Sequence, residues 1–149
     1  MANTNQAIAQ RMRATTEAFL QTWTGNWADG LKLNLALRAP ECSHIILPSS
    51  VGWEPQTNAS FASNVAKIAS LITEATMTLE DYVGVPEERR AVARSSVKAL
   101  TPVGPYKNEY VWFLTFDEAG EKIVKVVEFV ASLAAKELLG KLEEGKYLE

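Results

Sequence analysis

The sequence predicts an α+β domain with a curved antiparallel sheet, helices over its concave face and a pocket between them. Three observations carry this. Apolar residues recur at helical spacing through most of the first 72 positions; from Thr76 to Val130 the period falls to two; and short turn-forming segments separate the alternating runs. Helices gathered early and hairpin-linked strands late are the order of an α+β chain rather than of repeated strand–helix–strand units.

The elements follow in order. Ile8, Met12, Thr15, Phe19 and Trp23 are spaced by four, three, four and four, which is one face of a helix over 5–24 closed by Gly25. Residues 1–9 read as a flexible lead-in. Asn26 caps a second helix with Trp27, Leu31 and Leu35 on one face, ended by Pro40. Arg38 reads as a cation favouring that helix's C-terminal dipole. Cys42 to Pro48 (CSHIILP) is a short strand, and 49–57 is loop with Trp53 standing in it. Ser60 caps a helix carrying Phe61, Val65, Ile68 and Leu71 or Ile72. Strands are expected at 77–83, 90–100, 106–116 and 122–130, the last two forming a hairpin around DEAGE. The final helix carries Leu133, Leu138 or Leu139 and Leu142, and the closing Leu148-Glu149 is set aside as a cloning remnant. The whole, residues 1–149, is one domain with no internal repeat or linker.

Composition narrows the function classes. Hydrophobic residues make up 47% and charged residues 22%, which is globular and not disordered. A net charge of -3 supplies no basic field for a phosphate backbone, so nucleic acid is not an expected partner. No apolar run reaches the ~18 residues of a membrane span, and the N-terminus lacks a secretory h-region. The lone Cys42 cannot form an internal disulfide and fits a reducing, cytoplasmic setting. One His and one Cys do not make up the donor set of a typical zinc site. GxSxG, GxGxxG and GxxxxGK[ST] are absent, so any chemistry is expected to be cofactor-free, by acid–base groups and pocket shape.

Few residues can carry such chemistry. His44, alternating with Ile46 and Pro48, is the leading proton-transfer candidate because its ordinary pKa near ~6.5 suits neutral pH. Its other reading is a half-buried strand histidine with a satisfied hydrogen bond. Glu128 alternates with Val126 and Val130: it is a pocket carboxyl if that face is the cavity, and a solvated or dimer-interface residue if it is the outer face. Asn108, Tyr110 and Trp112 share one face of the 106–116 strand, where Tyr110 can polarise a carbonyl or enol oxygen. Trp53 is placed at the pocket mouth. Tyr106, Phe61, Trp112 and Phe129 complete the expected substrate-binding set.

Three stretches carry a resemblance: LALRAPECSHIILPSS (35–50), TNASFASNVAKI (57–68) and TPVGPYKNEYVWFLTFDEAGEKIVKVVEFVAS (101–132). Together they resemble a fungal SnoaL-like subgroup of the nuclear transport factor 2-like superfamily, over roughly residues 10–140. The resemblance implies a cone-shaped α+β barrel, a homodimer formed through the outer sheet face, and isomerase or cyclase chemistry on polyketide- or terpenoid-derived intermediates. It also implies that the CxH…P pattern puts His44 at the site. Relatives usually read EFVDS where this chain reads EFVAS, so Ala131 stands where a cavity aspartate serving as acid or base would be expected. Two alternatives remain beside an enzyme: a module binding a hydrophobic small molecule without turnover, and a protein-interaction adaptor.

Overall fold

The computed structural model describes residues 2–149, with side chains from Thr4 onward. Helices α1 (Ala2–Gln21) and α2 (Trp27–Ala36) lead into strand β1 (Arg38–Leu47). Helix α3 (Asn58–Ala69) then precedes β2 (Thr73–Val85), β3 (Arg90–Thr101), β4 (Gly104–Phe116), β5 (Ile123–Val130) and helix α4 (Ser132–Glu144). The five strands form one sheet in the order β1-β5-β4-β3-β2, antiparallel throughout except that β1 runs parallel to β5. Breaks in register within β1 and twice within β2 leave unpaired residues that bend a strand and curl the sheet.

The inner face carries the core. Strict alternation along β3 and β4 buries Ala91, Ala93, Ser95, Val97 and Ala99 on one, and Tyr106, Asn108, Tyr110, Trp112, Leu114 and Phe116 on the other. The small residues of β3 against the aromatics of β4 leave room for rings above the sheet. Phe19, Trp23, Trp27, Phe61 and Trp112 fill it, mostly edge to face.

α1 buries the face that its spacing predicts, from Ile8 to Phe19, and Trp23 in the turn that follows continues it. It is pinned to the β4–β5 hairpin by Arg11 Nε donating to Ala119 O at 2.7 Å and Thr15 Oγ1 donating to Gly120 O at 2.9 Å. Gly120 is required there: its φ is +74°, and a Cβ would lie 3.0 Å from Met12 Cγ.

Several expectations are corrected. Helix α1 begins at Ala2, three residues before the start that the spacing predicts. α2 stops at Ala36 rather than at Pro40, because Ala39 precedes a proline and is held extended, and β1 starts at Arg38. The buried positions of α2 are Trp27, Gly30 and Asn34; Leu31 and Leu35 pack only partly. Gly30 explains the rotation, since a Cβ there would sit 1.8 Å from Thr22 O, so α2 lies directly on the end of α1. The cap of α3 is Thr57, whose Oγ1 accepts from the Ser60 N–H at 3.2 Å while Ser60 Oγ accepts from the Thr57 N–H at 2.9 Å. Leu133 is 73% exposed, and Ala135 takes the buried place in α4's first turn.

Candidate functional site: a buried Arg–His–Glu chain at an aromatic cavity

The curled sheet and the helices enclose a cavity of about 450 Å³, within the range of small-molecule sites. Trp23 lines it from the turn after α1, Trp27 and Phe61 from α2 and α3, Tyr106, Tyr110 and Trp112 from β4, and Glu128 and Val130 from β5. Ala135, Leu138 and Leu139 of α4 close one side, and the loop Trp53–Gln56 borders the opening. Tyr110, Trp112 and Trp23 form a stack with centroid spacings of 5.2 and 6.3 Å and interplanar angles of 20° at each step. A flat, apolar ligand matches such walls.

Glu128 is the carboxylate on the inner face of this wall, with 14% of its side chain exposed. Alternation along β5 puts it beside Val126 and Val130, and of the two faces the sequence left open theirs is the cavity face. In the β1–β5 register, His44 pairs with Val126 and Ile46 with Glu128, so His44 and Glu128 are diagonal neighbours on one face. His44 Nε2 lies 2.8 Å from Glu128 Oε1 and Arg38 Nη2 lies 3.1 Å from His44 Nδ1.

The positions of the protons follow from the donors. A guanidinium only donates, so His44 Nδ1 is an acceptor, Nε2 carries the single proton of a neutral imidazole, and Glu128 Oε1 accepts it. Behind Arg38, Nε donates to Asn34 Oδ1 at 2.8 Å, and Asn34 Nδ2 donates to Thr22 Oγ1 at 2.9 Å. Thr22 Oγ1 in turn donates to Phe19 O at 2.6 Å. Every link is directional, and the chain runs from the end of α1 to the cavity carboxylate.

Burial, above all, pushes the His44 pKa below its ordinary 6.5; hydrogen bonding and charge from Glu128 pull it up, and the Arg38 charge adds to the lowering. Burial likewise lowers Arg38, with the Glu128 charge among the opposing influences. Phe61 braces both: its ring stacks on His44 at 4.7 Å, and the Arg38 guanidinium carbon lies 3.9 Å from its centroid. The strand holding His44 is also tied to the cavity mouth. His44 and Gln56 exchange backbone hydrogen bonds of 2.8 and 2.9 Å, anchoring the loop that bears Trp53.

The sequence-predicted residues divide into two groups. Glu128, Tyr106, Tyr110, Trp112, Phe61 and Trp53 meet at the cavity. His44 does not line it: at 0% exposure it stands behind Glu128 and Phe61 and reaches the cavity only through the carboxylate. Phe129 points from the outer face at 46% exposure, because it lies between Glu128 and Val130, in alternation with their cavity-facing side chains. Ala131 is also outside the cavity wall; it is exposed, follows the end of β5 and is the N-cap residue of α4. The expectation that position 131 lines the cavity is thereby corrected. Arg38 and Asn34 were missed as site residues. The available signal was their spacing of four in LNLALR, which keeps the side chains in contact across the helix end.

No family model matches the chain. Over 137 residues it is 34% identical to the protein named monooxygenase AacuP of Aspergillus aculeatus, covering 92% of each chain. It is 31% identical over 142 residues to austinoid biosynthesis cluster protein J of Aspergillus calidoustus, covering 91% of this chain and 82% of that one. The chain belongs to the fungal SnoaL-like family of natural-product biosynthesis proteins. Solved structures agree on the fold. PrhC of Penicillium brasilianum superposes with a TM-score of 0.86 at 17% identity, covering 95% of this chain and 94% of that one. The BvnE pinacolase of Penicillium brevicompactum gives 0.82 at 20% identity, covering 92% and 94%. Both support the nuclear transport factor 2-like architecture for this SnoaL-like chain.

Proposed function

We propose that this SnoaL-like protein is a cofactor-free isomerase or cyclase that acts on an apolar, enolisable polyketide- or terpenoid-derived intermediate, with Glu128 as its proton-transfer residue. The observation that carries this reading is the placement of one oriented carboxylate in an aromatic cavity, held by a histidine whose tautomer Arg38 fixes.

In the first step Glu128 takes a proton from a carbon next to a carbonyl, and the C–H electron pair moves into the enolate. Tyr110, diagonal to Glu128 across the β4–β5 register, supplies a hydroxyl for the developing oxygen charge. Returning the proton to a different atom isomerises the substrate. Attack by the enolate carbon on an electrophile of the same molecule closes a ring, and the protein's aromatic walls hold the two ends together. His44 is a positioning residue here, since it touches Glu128 and not the cavity.

Relatives named monooxygenases favour a second reading of the same carboxylate. A methylene deprotonated by Glu128 could pass one electron to dioxygen and combine with it at carbon. The protonated hydroperoxide then loses its remaining C–H proton as the O–O bond breaks, giving a ketone and water. A third reading, binding without turnover, rested on a missing cavity aspartate, and Ala131 lies outside the cavity wall.

Incubating the protein with 2-tetralone in D2O separates these readings. Deuterium entering the α-carbon faster than in buffer supports proton transfer. The same incubation under 18O2 yields labelled product only on the oxygenase reading, and exchange at the buffer rate favours the binding module.

A homodimer is part of the same proposal. Ile45, Val127, Phe113, Val92 and Val83 align in register across all five strands on the sheet's outer face, giving an apolar row for a second copy.

A further inference from the structure

Asn108 lies between Tyr106 and Tyr110 on the inner face of β4 and is 5% exposed. Its Nδ2 donates to Tyr106 Oη at 2.6 Å, and its Oδ1 accepts from the Glu109 backbone N–H at 2.8 Å. That N–H is available because β5 ends beside it: Tyr110 pairs with Val130, and Ala131, just past the strand end, donates to Glu109 O. The backbone N–H of Glu109 can only donate, so the Asn108 amide has one orientation, with its NH2 group toward the tyrosine.

The amide orientation keeps the Tyr106 proton from pointing at Asn108, so that proton is directed toward Tyr110 or the cavity. Tyr106 Oη accepts from Asn108, and Tyr110 Oη lies 3.3 Å away. Two hydroxyl protons are then shared between one inter-tyrosine hydrogen bond and the cavity. Whichever tyrosine donates to the other, one proton remains, and both side chains line the cavity. The 3.3 Å contact is long for O–H···O, so it can tighten when a negative charge arrives.

We propose that Asn108 is a positioning residue that makes the Tyr106–Tyr110 pair a one-way hydrogen-bond donor, and that the group it receives is the oxyanion of an enolised ketone or a phenolate. The substrate class rests on the acid–base reading of Glu128, whereas the directed hydroxyl chain stands on geometry alone. Burial raises the pKa of both tyrosines, that of Tyr110 well above 10, with the negative charge of Glu128 a lesser cause. Both therefore remain protonated donors at neutral pH. Glu128 and the tyrosines form two poles of one cavity, acceptor at one and donor at the other.

The test uses 2-naphthol and a series of ring-substituted phenols with the full chain in the Glu128→Gln background, where a neutral amide stands in for the protonated carboxyl. Binding and the phenolate absorption band are read by titration. Affinity should rise as the phenol becomes more acidic. Tyr110→Phe should weaken phenolate binding by roughly ten- to a hundredfold, the loss of a hydrogen bond to a charged group.

Asn108→Asp keeps the shape but replaces the donor with an acceptor, drawing the Tyr106 proton out of the cavity. It should weaken phenolates at least as much as Tyr110→Phe while leaving a neutral isostere, naphthalene, bound as before. Tyr106→Phe leaves the Asn108 side chain in place but removes its acceptor and cuts Tyr110 off from the amide, so it too should weaken phenolates, and it gives the answer if Asn108→Asp fails to fold. Phenolate affinity unchanged in Tyr106→Phe or in a folded Asn108→Asp overturns the proposal, as does affinity independent of phenol acidity. Loss of deuterium exchange on Glu128→Gln with no phenolate preference would sink this inference alone. Phenolate preference with exchange untouched by Glu128→Gln would sink the acid–base reading and leave the hydroxyl chain standing.

Discussion

His44 holds Glu128 by a 2.8 Å hydrogen bond from Nε2 to Oε1 while itself having no solvent contact. The two residues are 84 positions apart in sequence and come together because β1 lies parallel to β5 at the edge of the sheet. The bond needs the Nε2–H tautomer, and Arg38 at Nδ1 enforces it. A neutral donor that cannot move its proton elsewhere fixes the carboxylate's orientation while leaving Glu128 able to gain and lose a substrate proton.

The tautomer is directly observable, because the chain has one histidine. Long-range proton–nitrogen correlation spectra at neutral pH should show a neutral ring protonated at Nε2. Arg38→Met removes both the Nδ1 donor and a nearby positive charge. The imidazole should then titrate at a higher pH than in the parent, and an unchanged titration would mean that Arg38 does not govern the ring.

Stability should depend on pH through the same ring. The folded-state pKa of His44 is lowered from 6.5, chiefly by burial, so below about 6.5 the unfolded chain binds a proton that the folded one refuses. The stabilisation is complete above that pH and is lost as pH falls toward the folded value, at up to about 1.4 kcal/mol per pH unit. Urea unfolding between pH 7.5 and 5.5 should show this slope in the parent and a reduced one in His44→Asn. Equal slopes would place the proton uptake elsewhere.

Gly30→Ala should act at a distance from the cavity. A Cβ 1.8 Å from Thr22 O forces α2 away from α1 and stretches the Thr22–Asn34–Arg38 links. A loss of roughly 1–3 kcal/mol in thermal or denaturant unfolding is expected from such overpacking. Turnover should fall with it, because Arg38, which donates to His44, is itself held through Asn34 and Thr22 at that contact.

The strands and most helix faces were legible in the sequence because alternation and three-to-four spacing are local signals. Period two also grouped Glu128 with Val126 and Val130, but which face of the sheet they share was settled only by the structure, since alternation does not say which side the helices cover. Arg38 was not legible. Two residues past a helix end, it looks like a dipole-stabilising cation, and only the parallel pairing of β1 with β5 shows that it points at a buried histidine. His44 was legible as a site residue but not as one removed from the cavity, because burial behind Phe61 depends on where α3 lands. Ala131 was misplaced by likeness alone. Counting along β5 already separated it from Glu128's face, and the strand ends before reaching it.

The outer apolar row makes an oligomeric prediction. Phe113 lies at its centre, between Val92 and Val127, and is 38% exposed. Light scattering on a sizing column should give twice the chain mass for the parent and one chain mass for Phe113→Glu. A parent that elutes as a monomer contradicts the dimer.

The central claim is that Glu128 moves the proton. Its most direct test is the initial rate of deuterium entry into the α-carbon of 2-tetralone in D2O, compared between the parent and Glu128→Gln, with folding checked by the His44 nitrogen signals. The amide is close to the carboxylate in shape but cannot serve as base, so the catalysed rate should fall by about 10²–10⁴-fold. A folded Glu128→Gln that exchanges at the parent's catalysed rate would contradict the account and move the chemistry to another group of the cavity wall.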